Sequence, residues 1–205
     1  FNNDTWPDIA VGNLSAGAGG LGIFLNNGDG TFGAVNNKAA APWCIAAADF
    51  DHDGNMDVAY SDYNNGGMKV MMGAGNGTLG GATTYASGVN PIGIVATDLN
   101  ADGWADLAIT NYSSSFMSVY INNGNGTFAA KADYSGTSTP YFIISGDFNN
   151  DARPDLLIPN SDGGTLDVSL FLGTGTGSFL SALRYTVNTT ARGIASGDFN
   201  RDGKL

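Results

Sequence analysis

The sequence predicts an all-β fold: a β-propeller, or a segment of one, built from four-stranded antiparallel blades. Three observations carry this. The chain has 205 residues, of which 31 are Gly, and its 19 acidic residues are all Asp. Asp, Asn and Gly favour turns, whereas helical surfaces draw on Glu, Lys and Gln. An Asp-rich loop recurs with leading carboxylates at Asp49, Asp98, Asp147 and Asp198, in steps of 49, 49 and 51 residues. Between the loops, apolar runs of strand length alternate with Gly and Asn turns, and no useful stretch has a helical period.

Each repeat reads as strand, Asp loop, strand, connection, strand, Gly turn, strand. The leading strand is PWCIAAADF (42–50), PIGIVATDL (91–99), PYFIISGDF (140–148) and ARGIASGDF (191–199). Pro suits a strand start, where no ladder donor is needed, and the small residues suit a crowded strand near an axis. The turn before the last strand is IFLNNGDGTF (23–32), VMMGAGNGTL (70–79), VYINNGNGTF (119–128) and LFLGTGTGSF (170–179). Asn-Gly and Asp-Gly are strong signals for tight hairpins with φ > 0 at both central residues. The first complete repeat places strands near 43–48, 57–61, 68–72 and 82–87.

Four strands in about 49 residues is the size of a propeller blade, and one blade cannot bury both of its faces. Neighbours must therefore stack around a common axis. Residues 1–205 are read as one propeller region, with units near 1–41, 42–90, 91–139 and 140–190 and a partial unit at 191–205. The expectation is a fragment of a longer propeller.

The loop DFDHDGNMD sets Asp49, Asp51, Asp53 and Asp57 at positions 1, 3, 5 and 9, with Gly54 at position 6. Carboxylates on alternate residues repel unless a cation sits among them, and the glycine permits the sharp turn that converges their oxygens. Calcium takes six to eight oxygens. Here the side chains and the position-7 carbonyl of Asn55 supply five. In DLNADGWAD the ligands are Asp98, Asn100, Asp102, Asp106 and the Trp104 carbonyl; in DFNNDARPD they are Asp147, Asn149, Asp151, Asp155 and the Arg153 carbonyl. Partial loops hold Asn2, Asp4 and Asp8 at one end and Asp198, Asn200 and Asp202 at the other. Position 12 holds Tyr60, Ile109 and Ile158, so the bidentate Glu of an EF-hand is missing. Loop 49–57 is expected to bind best. Loop 147–155 is expected to bind worst, because Ala152 replaces the glycine, at a cost of about 1 kcal/mol if φ is positive there.

The net charge of −11 with 8 Lys and Arg excludes a nucleic-acid binder and disfavours an anionic membrane surface. Fourteen Asp lie in the loops, and three bound Ca²⁺ would bring the charge from −11 to −5. The single Cys44 reads as a buried thiol rather than part of a disulfide framework. No apolar run has membrane-span length. His52, the one histidine, reads as an outward loop residue. No Ser-His-Asp or Cys-His set forms, and the Gly turns lack the Lys and helix of a phosphate loop. Trp6, Trp43, Trp104, Tyr63 and Tyr112 are candidates to stack on sugars, with packing the commoner role. Sequons occur at Asn3, Asn13, Asn76, Asn111, Asn125 and Asn188, although the turn itself demands Asn-Gly-Thr.

These loops, with NNGDGTF and NNGNGTF, resemble the FG-GAP or VCBS repeats of integrin-α-like β-propellers, over essentially the whole chain. The resemblance implies a toroid of commonly seven blades. It further implies calcium in the loop between the first two strands of a blade, and an extracellular or surface location. The expected function is a non-enzymatic, calcium-stabilised recognition or adhesion module. Its partner would be a protein or glycan, with further blades or self-association completing the ring. The alternatives are a lectin propeller, or a structural domain of a larger surface assembly or polysaccharide-active enzyme.

Overall fold

The structure, a computed structural model, describes residues 1–13, 20–161, 167–187 and 191–205. All of its regular structure is β. The strands form four antiparallel sheets, each from a contiguous stretch of chain. The first contains β1 (Ile9–Gly12), β2 (Leu21–Phe24) and β3 (Asn36–Lys38). The second contains β4 (Ile45–Ala48), β5 (Asp57–Ser61), β6 (Met68–Met71) and β7 (Thr83–Tyr85). The third contains β8 (Pro91–Thr97), β9 (Asp106–Asn111), β10 (Phe116–Tyr120) and β11 (Ala132–Ser135). The fourth contains β12 (Ile144–Gly146), β13 (Asp155–Pro159), β14 (Asp167–Phe171) and β15 (Leu183–Thr186). Within each sheet the spatial order is the chain order. The leading strands lie side by side, with β4 against β8 and β8 against β12.

Each core lies between two sheets. Leu21 and Ile23 meet Val58, Tyr60 and Met71. Ala59, Met68 and Val70 meet Leu107, Ile109 and Tyr120. Ala108, Met117 and Val119 meet Leu156, Ile158 and Phe171. The period-2 alternation of a strand explains the division: along β9, Leu107 and Ile109 face the second sheet and Ala108 faces the fourth. A strand covered on both faces reads as a continuous apolar run, and all six residues of β9 are buried. At the outer sheets apolar strand residues are left open to solvent. Ile9 and Val11 are 43% and 44% exposed, and Leu183 and Tyr185 are 45% and 52% exposed.

The Gly turns differ from the two-residue hairpins that Asn-Gly predicts. In the first, Asn26 bridges Phe32 and the N–H of Asn27 donates to the carbonyl of Thr31 at 2.9 Å. Five residues therefore lie inside the bridge. Gly28 and Gly30 take φ of 80° and 87° with Asp29 between them, so the positive-φ residues are separated rather than adjacent. Asp29 Oδ1 accepts both the N–H and the hydroxyl of Thr31, which closes the wider loop. Asn76 and Asn125 do the same for Thr78 and Thr127.

Candidate metal centre

Each Asp loop folds around its first carboxylate. Asp49 Oδ1 accepts the Asp53 N–H at 3.2 Å and Oδ2 accepts the Gly54 N–H at 2.9 Å. The same pair of bonds runs to Asp98 from Asp102 and Gly103, to Asp147 from Asp151 and Ala152, and to Asp198 from Asp202 and Gly203. The position-5 carboxylate then accepts the position-7 N–H: Asp53 from Asn55, Asp102 from Trp104 and Asp151 from Arg153. The glycine position does require positive φ, with Gly54, Gly103 and Gly203 at 86°, 90° and 83° and Ala152 forced to 63°. Position 4 is left-handed as well, in His52, Ala101, Asn150 and Arg201 at 55°, 62°, 64° and 63°. No glycine marks this position, so it is not legible in the sequence.

The position-9 aspartates have a second role that their spacing does not reveal. Asp57 is 1% exposed; its Oδ2 accepts the Phe50 N–H at 2.8 Å and its Oδ1 accepts the Gly73 N–H at 2.7 Å. Asp106 does the same with Leu99 and Asn122, and Asp155 with Phe148 and Gly173. In the first sheet Asp8 accepts the terminal amine of Phe1 and the Asn26 N–H. Each of these carboxylates thus clamps its own loop to the Gly turn of the same sheet. Burial pushes the Asp57 and Asp106 carboxyls up; the amides pull them back, and neighbouring loop carboxylates push them up again.

Asp49, Asp51 and Asp57 bring one carboxylate oxygen each to within 4.8 Å of the others. Among the described residues this is the one such group of three or more Asp, His or Cys side chains. Calcium–oxygen bonds of about 2.3–2.6 Å put opposite ligands about 5 Å apart, so the group fits a hard divalent cation. Asp53 stands apart, its two oxygens taken by the N–H and Nδ2 of Asn55. In loops 98–106 and 147–155, Asn100 and Asn149 take the place of Asp51. Their Oδ1 atoms accept the position-5 N–H, and their Nδ2 atoms donate to the position-5 carboxylate. In the first partial loop Asn2 Oδ1 is buried with no hydrogen-bond partner among the described residues. In the last, Asn200 Nδ2 donates to Asp202.

The loops also touch across sheets, from position 4 of one to position 7 of the next. Asn3 Nδ2 donates to Asn55 Oδ1 at 2.7 Å. His52 is exposed but stacks on Trp104, with ring centroids 3.7 Å apart and planes at 11°. Trp43 pairs with Tyr63, and Tyr112 with Tyr141, so of the candidate sugar-stacking aromatics Trp6 is left most open, at 52%. Burial pushes the Cys44 thiol up to about 11. Asn111 is fully buried and Asn188 lies outside the described residues.

The sequence matches the FG-GAP-like repeat family four times, over residues 1–60, 49–109, 98–158 and 147–205. The chain belongs to this family. A comparison with curated protein sequences finds no match. Among solved structures, the V. cholerae biofilm matrix protein Bap1 is similar at 18% identity and a TM-score of 0.46, over 94% of this chain and 39% of that one. The Photorhabdus luminescens Tc holotoxin pore is similar at 13% identity and a TM-score of 0.34, over 93% of this chain and 12% of that one. The chain therefore spans well under half of either structure. Among the described residues no helix is long and apolar enough to cross a membrane.

Proposed function

We propose that the chain is part of a calcium-stabilised β-propeller that acts as a non-catalytic recognition or adhesion module outside the cell. The convergence of Asp49, Asp51 and Asp57 within 4.8 Å carries this reading. The same loop hydrogen bonds recur around Asp98, Asp147 and Asp198. The side-by-side leading strands and the inter-sheet cores support the propeller arrangement. The apolar outer faces at Ile9, Val11, Leu183 and Tyr185 support packing of further blades or of a second copy.

Asp49, Asp51 and Asp57 would hold the ion in the best loop, joined by Asp53 and the Asn55 carbonyl if the loop tightens around it. Asp98, Asn100, Asp102 and Asp106 are the counterparts in the second loop, with Asp147, Asn149, Asp151 and Asp155 in the third. The carbonyls of Trp104 and Arg153 complete those sets. Calcium there supplies charge neutralisation, and the chain's own clamps then hold each loop against its sheet. The rigid disc presents its connecting loops to a protein or glycan partner. Millimolar extracellular calcium saturates even weak sites of this kind, which is why the reading places the module outside the cell.

Each site adds about 2.7 kcal/mol at a hundredfold excess of calcium over Kd. For a chain of this size about 2–4 °C in Tm accompanies each kcal/mol. EGTA should therefore lower Tm by about 15 °C or more if three sites are filled. Calorimetric titration should find loop 49–57 tightest and loop 147–155 weakest. An unchanged melting curve in EGTA would end the structural-calcium reading.

A further inference from the structure

A cavity of about 510 Å³ lies between the first and second sheets and is lined by Lys38, Tyr60, Asp62, Asn65, Lys69 and Met71. It sits at the end of β5 away from the carboxylate loop. Strand register shows what these residues replace. Lys38 pairs with Leu21 just as Tyr85, Tyr134 and Tyr185 pair with Met68, Met117 and Val168. Tyr60 pairs with Lys69 just as Ile109 pairs with Ser118 and Ile158 with Ser169. Asp62 follows β5 where Asn13, Asn111 and Asn160 stand in the other repeats.

Four departures from the repeat therefore converge on one cavity. In the third and fourth sheets these positions form a closed Asn–Ser pair, Asn111 to Ser118 at 2.9 Å and Asn160 to Ser169 at 2.8 Å. Tyr85 fills the corresponding space at the next interface, edge-on to Phe128. At the first interface a lysine stands in place of that ring, and the space is open.

The lysines and the tyrosine left there are under-used, whereas Asp62 is satisfied. Asp62 is 1% exposed, is bonded to Lys69 Nζ at 2.6 Å and accepts from Asn65. Lys38 Nζ donates to the Leu79 carbonyl at 3.0 Å. An ammonium has three donors, so both lysines keep donors for a ligand. Tyr60 is 2% exposed, lines the cavity, and its hydroxyl has no hydrogen-bond partner among the described residues. The hydroxyl is not a buried orphan, so it stands open to a ligand as both donor and acceptor. A Lys-for-Ser exchange balanced by Asp62 accounts for one ion pair. It accounts neither for Lys38 nor for the free hydroxyl of Tyr60.

We propose that this cavity binds a hexuronate residue of an acidic polysaccharide. The carboxylate meets Lys38 and Lys69, and a sugar hydroxyl meets the Tyr60 hydroxyl. The pocket carries one net positive charge in a chain of net charge −11. It offers donors and an acceptor together, which a hydroxylated anion uses in full and a bare anion does not. The proposal rests on the recognition reading above and names its ligand class.

The test is an NMR titration of the calcium-loaded chain with D-glucuronate, D-glucose and acetate. D-glucuronate should bind saturably with shifts at residues around the cavity, and D-glucose and acetate about tenfold more weakly or not at all. Binding should weaken in about 0.5 M NaCl, where the Debye length is only a few Å. Lys38→Tyr and Tyr60→Ile restore the residues of the other repeats and so retain the fold; each should weaken glucuronate binding about tenfold. Lys38→Gln should do the same without filling the space. The inference fails if D-glucuronate does not bind, if acetate binds as tightly, or if all three variants bind unchanged. A Tm that still falls in EGTA alongside such a result removes the ligand class and leaves the calcium-stabilised module standing.

Discussion

Asp57, Asp106 and Asp155 do more than any other side chains of the repeat, since each is buried and holds two backbone amides from two segments. Asp106→Asn should turn one acceptor into a donor that faces an amide N–H, and should cost about 1–3 kcal/mol in urea unfolding even without calcium. Asp102→Asn, in the same loop but exposed, should leave calcium-free stability nearly unchanged and weaken calcium binding. Equal losses from the two variants in EGTA would contradict the clamp. Ala152 sits at a φ of 63°, where its neighbours in the repeat have glycine. Ala152→Gly should stabilise by up to about 1 kcal/mol, measured in the same way.

Between elements, the second glycine of each Gly turn is where one repeat meets the one before it. A Cβ on Gly126 would lie 2.4 Å from Met72 Cε and 2.9 Å from Asp51 Cβ; on Gly177 it would lie 2.4 Å from Ile121 Cδ1. On Gly30, in the first sheet, a Cβ meets nothing within 4 Å among the described residues. All three have positive φ. Gly30→Ala should therefore cost about 1 kcal/mol for its backbone alone. Gly126→Ala should cost clearly more, by a chemical-denaturation comparison, because overpacking adds about 1–3 kcal/mol.

The sequence disclosed the repeat, the antiparallel sheets and the carboxylate cluster of Asp49, Asp51 and Asp57, because period-2 alternation and Asp spacing are local signals. It concealed the clamp role of Asp57, since the Gly73 amide is distant in sequence. It misjudged the Gly turn, because Asn-Gly specifies positive φ but not the length of the loop. It missed the His52–Trp104 stack and the Lys38 cavity, because both join residues of different units.

At the scale of the whole molecule, 14 of 19 carboxylates lie on the loops, so the net charge of −11 is concentrated rather than spread. Without calcium that concentration should destabilise the fold, and salt should screen it. Raising NaCl from about 0.05 to 0.5 M in EGTA should recover a few degrees of Tm, while the same change in saturating calcium should do little. A salt response that is equal in both conditions would show that the loops are not the source of the strain.

The turns also give the molecule a direction. The Phe1 carbonyl in the first loop accepts from Gly77, the Phe50 carbonyl in the second from Asn122, and the Leu99 carbonyl in the third from Gly177. In every case the group that finishes a loop comes from the following repeat. A chain leaving the ribosome amino-terminus first therefore holds each loop unfinished until about one further repeat has been made. Ordering should trail synthesis by about one unit, with the newest loop the least settled.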